Sequence, residues 1–131
     1  VLGQVVDSSG LDAILDPRRA ANVWLITARE ASTPLYLPSL ALTEVRALRT
    51  PAATPEALTE LYELLEHPSV VRRDLDPSTA AEVAALLADT STFDVGTGHV
   101  CVIARQRGWP VITSDPGRLR RVDPDVDVLL V

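Results

Sequence analysis

Gly108-Trp109-Pro110-Val111-Ile112-Thr113-Ser114-Asp115 is the stretch on which the fold reading turns. A glycine stops one helical segment, a short β-branched apolar run follows, and the run closes on two hydroxyls and a carboxylate. A run that is apolar without alternation is a strand covered on both sides, the habit of parallel sheets. Near the amino end, Val1 to Val6 repeats the theme and closes on Asp7. Between these two strands, and after them, strand-like segments (Leu35 to Leu37, Val70 to Leu75, Val126 to Val131) alternate with amphipathic helical ones. That alternation predicts a three-layer α/β/α sandwich with a parallel sheet of about five strands.

Local punctuation sets the expected helix boundaries. A helical turn is expected around Ser9 to Leu15, and Asp16-Pro17 reads as an N-cap followed by proline, opening a helix with Val23, Leu25 and Ile26 through about Ala31. Ser39 is placed to cap a helix whose Leu40, Val45 and Leu48 share a face. Thr54-Pro55 and Asp76-Pro77 repeat the cap-then-proline signal, ahead of Leu58, Leu61, Tyr62 and Leu65 in one helix and Val83, Leu86 and Leu87 in the other. Thr92 is placed to cap a helix from Phe93 to Gln106 that stops at Gly108, and a helical turn follows Asp115 through Leu119. No linker, repeat or low-complexity tract divides residues 1–131, so one domain is expected.

Composition removes several classes of function. All 12 basic residues are arginines. A phosphate-loop lysine, a Schiff-base lysine and the lysine of a phosphate-accepting receiver domain are therefore excluded. Cys101 is the single cysteine, so neither an internal disulfide nor a cysteine-built zinc site can form within one chain. With no apolar run near the roughly 18 residues of a membrane span and no signal-peptide pattern, a cytoplasmic location is expected. The net charge of −6 argues against nucleic-acid binding by bulk positive charge, yet it suits an acidic centre in which a bound cation reverses the local sign.

The acids are the chemistry-bearing residues. Asp7 and Asp115 follow strand ends, where open parallel sheets line their ligand crevice, and Glu44 and Asp94 lie near the beginnings of helices. Carboxylates gathered in a cleft repel one another unless a cation compensates them. Oxygen ligands select hard ions, Mg²⁺ or Mn²⁺, which lower the pKa of bound water and neutralise charge on a phosphodiester leaving group. The same positions also suit carboxylates as helix caps and turn formers, so spacing alone reaches an α/β domain with an acidic cleft.

Taken in order, Val5-Val6-Asp7-Ser8-Ser9, Pro38-Ser39-Leu40-Ala41-Leu42-Thr43-Glu44-Val45, Phe93-Asp94 and the segment from Gly108 to Asp115 resemble a bacterial PIN domain, across nearly the whole chain. The resemblance is to VapC-like toxins of toxin–antitoxin pairs. It implies a PIN-like fold and a Mg²⁺- or Mn²⁺-dependent ribonuclease. In that resemblance Asp7, Asp94 and Asp115 hold the ion, Glu44 orients or activates water, and Ser9 and Thr113 hold waters or carboxylates in place. It further implies an RNA substrate, a cognate antitoxin and a homodimer. Where many members carry a further acid, this chain has Gly96 and Gly98, which favours one ion over two and hints at close approach of backbone or substrate, or at a loose first turn.

Arg46, Arg49 and Arg118, with Arg120 and Arg121, are candidates to rim the cleft and meet RNA phosphates, against solvation as the ordinary alternative. Asp12 reads as a solvated helix residue, His67 as a last-turn residue, His99 as a packed or solvent-facing helix histidine, and Cys101 and Trp109 as core. The competing function is a catalytically inactive PIN-like module that acts through protein contacts alone.

Overall fold

The computed structural model describes residues 2–24, 27, 30, 32–49 and 55–131. In chain order it contains β1 (Gln4–Val6), α1 (Ser8–Leu15), a 3-10 turn (Ala20–Asn22), β2 (Leu35–Pro38), α2 (Ser39–Arg49), α3 (Pro55–Glu66), β3 (Val70–Arg73), α4 (Pro77–Thr90), α5 (Val95–Arg107), β4 (Val111–Thr113), α6 (Pro116–Val122) and β5 (Val128–Leu130). The five strands form one parallel sheet in the order β3-β2-β1-β4-β5. The chain moves outward from β1 on one side, then returns to add β4 and β5 on the other. That reversal leaves a crevice at the carboxyl ends of β1 and β4.

Side chains alternate across the sheet and build two cores. Val5, Tyr36 and Val111 point to one face, where Val83, Leu86 and Leu87 of α4, Val100 to Ala104 of α5, and Leu119 and Val122 of α6 cover them. Val6, Leu35, Leu37 and Ile112 point to the other, under Leu11, Ile14 and Leu15 of α1, Leu42 and Val45 of α2, and Leu61, Leu64 and Leu65 of α3. Each fully buried Leu or Ile contributes about 1.5–3 kcal/mol, and the central strands β1, β2 and β4 are largely apolar on both faces because both are covered, whereas the edge strands β3 and β5 are more exposed. The expected three-layer α/β/α sandwich is the architecture observed.

Several boundaries differ from expectation. Asp16 does not open a helix: it ends α1, its carboxylate accepts the Arg18 backbone N–H at 3.0 Å, and the chain passes through a turn into the 3-10 segment. The start of α5 lies at Asp94 rather than Thr92, because Asp94 accepts the Thr97 N–H while the Thr92 hydroxyl pairs with that of Thr90. Leu48 is 68% exposed, so the buried stripe of α2 is Ala41, Leu42 and Val45. In α3, Leu58 and Tyr62 face outward while Leu61, Leu64 and Leu65 are buried. Asp76 caps α4 with Pro77 behind it, and Gly108 ends α5 at φ 67°, both as the sequence predicts. Expectations at Val1, Leu25, Ile26, Ala31 and Thr54 fall outside the described residues.

One ion pair secures the approach to β5. Asp123, its side chain 3% exposed, accepts from Arg105 Nε at 2.8 Å and from the Asp125 N–H at 3.1 Å. The Arg105 bond holds its carboxyl below the ordinary 3.8, against the opposing effect of burial. A depressed folded pKa gives stability that is present above 3.8 and lost as pH falls through the folded value. Arg105→Ala is therefore expected to cost about 1–2 kcal/mol at pH 7. Urea midpoints measured across pH should show the gap to the parent closing below about 3.8.

Candidate active site

Asp7 leaves β1 and caps α1, with its Oδ1 accepting the Gly10 N–H at 2.7 Å and the Ser9 hydroxyl at 2.9 Å. The Thr113 hydroxyl, at the end of neighbouring β4, donates to Oδ2 at 2.6 Å. Thr113 Oγ1 also accepts the Asp115 N–H at 2.9 Å and lies 3.0 Å from Ser9 Oγ. Ser9 and Thr113 thus brace the Asp7 carboxylate from two elements, because the register that pairs Val6 with Ile112 sets Asp7 beside Thr113. Only 6% exposed, the carboxyl has its pKa raised by burial, partly offset by the bonds from Thr113, Gly10 and Ser9 and by the charge of Arg118.

Glu44 and Asp94 are joined by one guanidinium. Arg118 Nη1 donates to Glu44 Oε2 at 3.0 Å and Nη2 to Glu44 Oε1 at 3.3 Å. Its Nε donates to Asp94 Oδ2 at 2.7 Å and Nη2 to Asp94 Oδ1 at 2.9 Å. Asp94 also accepts the Thr97 hydroxyl at 2.7 Å. Burial pushes the Asp94 carboxyl up, yet the Arg118 and Thr97 bonds prevail and hold it down to about 2. Arg118 in turn is raised above its ordinary value, chiefly by the Asp94 bond. Gly96, in the first turn of α5, has no side chain because Glu44 Oε1 occupies the space a Cβ would fill. Close approach, rather than a loose turn, accounts for this glycine; Gly98 serves helix packing, with Val83 and Leu87 of α4 against it.

Asp115 caps α6 and accepts the Arg118 N–H at 3.2 Å, which ties the base of the arginine to the carboxyl end of β4. Ser8 links the two halves of the site: its hydroxyl donates to Glu44 Oε2 at 3.0 Å and lies 3.3 Å from Arg118 Nη1. Sequence reasoning passed over Ser8; its place immediately after a strand-end acid was the available signal. A cleft of about 580 Å³ opens beside these groups, lined in part by Ser8, Asp12, Arg19, Leu48 and Arg118.

Arg118 is turned inward onto the acids instead of standing as a rim cation. Arg49 is held by Asp12, through its carboxylate at 3.0 Å and its carbonyl at 3.0 Å, so Asp12 is a partnered residue and not a freely solvated one. Arg46 lies exposed on α2, and Arg120 and Arg121 lie exposed on α6. His99 is fully buried in α5, where burial lowers its pKa against the opposing effect of the Asp74 backbone and the charges of Asp74 and Asp76. Cys101 is fully buried and its thiol is pushed up to about 12, so it is inert packing.

The donors suit a hard divalent ion in kind: the four acids and the hydroxyls around them present only oxygen, and burial of Asp7 is a cost that a nearby cation removes. In arrangement they form two sets, Asp7 with Ser9, Thr113 and Asp115, and Glu44 with Asp94 across Arg118. Among the described residues no group of three His, Cys, Asp or Glu side chains stands ready to hold an ion.

No protein-family model matches the sequence, and no curated protein matches it. Solved structures do. FitAcB from Neisseria gonorrhoeae superposes with a TM-score of 0.70 at 21% identity, covering 96% of both chains. VapBC2 from Rickettsia felis, bound to a DNA fragment from its promoter, gives 0.74 at 9% identity over 98% of both. VapC20 from Mycobacterium tuberculosis, a sarcin-ricin loop cleaving toxin, gives 0.62 at 15% identity over 86% of this chain and 88% of that one. The chain shares its three-layer α/β/α architecture with these structures, and the resemblance read from the sequence is borne out as a PIN-like fold.

Proposed function

We propose, from the fold this chain shares with VapBC and FitAB proteins and from its own acids, that it is a divalent-metal-dependent endoribonuclease and the toxin of a toxin–antitoxin module. The observation that carries this reading is Asp7. A carboxylate buried at the topological switch point, braced by Ser9 and Thr113 and raised in pKa, is costly to keep ionised unless a cation shares its charge.

Asp7, Asp94 and Asp115 would hold Mg²⁺ or Mn²⁺, which supplies an activated water and offsets negative charge on the phosphodiester. Glu44 would orient that water, its carboxylate held by the Ser8 hydroxyl and accommodated where Gly96 has no side chain. Ser9 and Thr113 fix the direction of the Asp7 oxygens so that little reorganisation accompanies the reaction. RNA strands enter by the cleft beside Ser8 and Arg19.

A cognate antitoxin and a second copy of the chain are the proposed partners, in the cytoplasm. The exposed Leu48, on the wall of the cleft, provides apolar surface of the kind an amphipathic antitoxin helix covers. No helix among the described residues is long and apolar enough to cross a membrane.

The test is cleavage of a structured RNA by purified chain with Mg²⁺ or Mn²⁺. Cleavage is expected to stop with excess chelator and to return when Mn²⁺ is restored; cutting that persists through chelation would rule the reading out. One observation favours a second reading, a PIN-like module without catalysis. Arg118 already occupies Glu44 and Asp94. Calorimetry that finds no ion binding at millimolar concentration in a folded chain would select this alternative.

A further inference from the structure

We propose that Arg118 is a built-in counter-cation that exchanges with the divalent ion, so that Glu44 and Asp94 are released to the metal centre only when the guanidinium withdraws. This rests on the metal-dependent reading of the site. All four oxygens of the two carboxylates accept an N–H of this one side chain, at 2.7 to 3.3 Å. A guanidinium spread over two carboxylates supplies the compensation that a bound cation would otherwise give. A divalent ion drawn to the same oxygens meets its charge at close range, and the two cations exclude each other by repulsion in a part-buried site.

The surroundings are built for exchange rather than for a permanent structural pair. The Arg118 backbone is fixed by the Asp115 cap of α6, independently of its side chain, so withdrawal of the guanidinium leaves the helix start intact. The side chain already lines the 580 Å³ cleft, which gives it space to turn into. Asp94 keeps the Thr97 N–H and hydroxyl, and Glu44 keeps the Ser8 hydroxyl and the space left by the missing side chain of Gly96. Both carboxylates therefore retain their directions after the arginine leaves. Asp7 does not bond to Arg118 and stands braced in either state.

The experiment compares the parent chain with Arg118→Ala, both stripped with chelator, by Mn²⁺ calorimetry and by thermal melting. Arg118→Ala is expected to bind Mn²⁺ at least about tenfold more tightly, since the ion no longer displaces a resident cation. In chelator the variant is expected to melt below the parent, and the gap should close at saturating Mn²⁺. In the parent, the Arg118 Nε–H resonance should be protected in chelator and lose protection on adding Mg²⁺. Equal Mn²⁺ affinities in the two chains, or an Arg118 resonance indifferent to Mg²⁺, would overturn the exchange while leaving the metal-dependent reading in place. Absence of Mn²⁺ binding to both chains would overturn that reading and the exchange together. If Arg118→Ala does not fold, Arg118→Lys keeps the charge without the planar fork. It should then bind Mn²⁺ more tightly than the parent, and an unchanged affinity would count against the proposal.

Discussion

Replacing Asp7 with asparagine is expected to leave the chain folded and to remove its ribonuclease activity. The amide oxygen keeps the N-cap bond to the Gly10 N–H, and asparagine caps helices as well as aspartate does. The amide nitrogen faces Thr113, whose hydroxyl can turn toward Ser9, 3.0 Å away. Because burial raises the Asp7 pKa, the ionised carboxylate works against folding of the ion-free chain at neutral pH. The melting temperature of Asp7→Asn in chelator should consequently equal or exceed that of the parent. Activity behaves oppositely. Loss of a charged ligand should cost more than the about 10–100-fold that loss of an outer hydrogen-bonding partner costs. Cleavage assays with Mn²⁺ and melts in chelator measure the two halves separately; parental cleavage rates in Asp7→Asn would remove Asp7 from the mechanism.

The second large effect concerns stability. A Cβ at Gly10 would overlap the Ile112 carbonyl and lie 3.1 Å from Val6 Cγ2. That carbonyl belongs to the backbone of β4 and accepts the Asp7 N–H, so it cannot move aside without disturbing the sheet beside the site. Alanine is a better helix former than glycine by about 1 kcal/mol, but overpacking against backbone costs about 1–3 kcal/mol or more. Gly10→Ala is expected to lower the melting temperature by about 5–10 °C. The Asp7 cap should loosen with it, since the Gly10 N–H is one of its donors. A variant that melts at the parental temperature would show that α1 can slide away from β4 at little cost.

Gly10 and Gly96 illustrate what is legible in a sequence and what is not. Both are helix glycines, and of the two the sequence singles out only Gly96. For Gly96 it offered close approach or a loose turn as alternatives; only the packed structure puts the Glu44 carboxylate there. The misplaced starts have a common cause. Cap chemistry is met by type at Thr92, Asp94 and Asp16 alike, and Asp16 even accepts the Arg18 N–H, but of the three only Asp94 accepts an N–H in the first turn of a helix.

The sequence by itself determined the layered α/β/α fold and the placement of Asp7 and Asp115 at strand ends. Apolar runs, helical periodicity and cap-proline or glycine stops are local features, and a parallel sheet follows from their alternation. Only the tertiary structure decided that Arg118 turns inward to hold Glu44 and Asp94, that Ser8 joins the two halves of the site, and that Leu48 faces the cleft. A long arginine side chain has no preferred direction written in its neighbours along the chain. Its partners come from α2 and the start of α5, and charge compensation between them exists only once those elements are packed together.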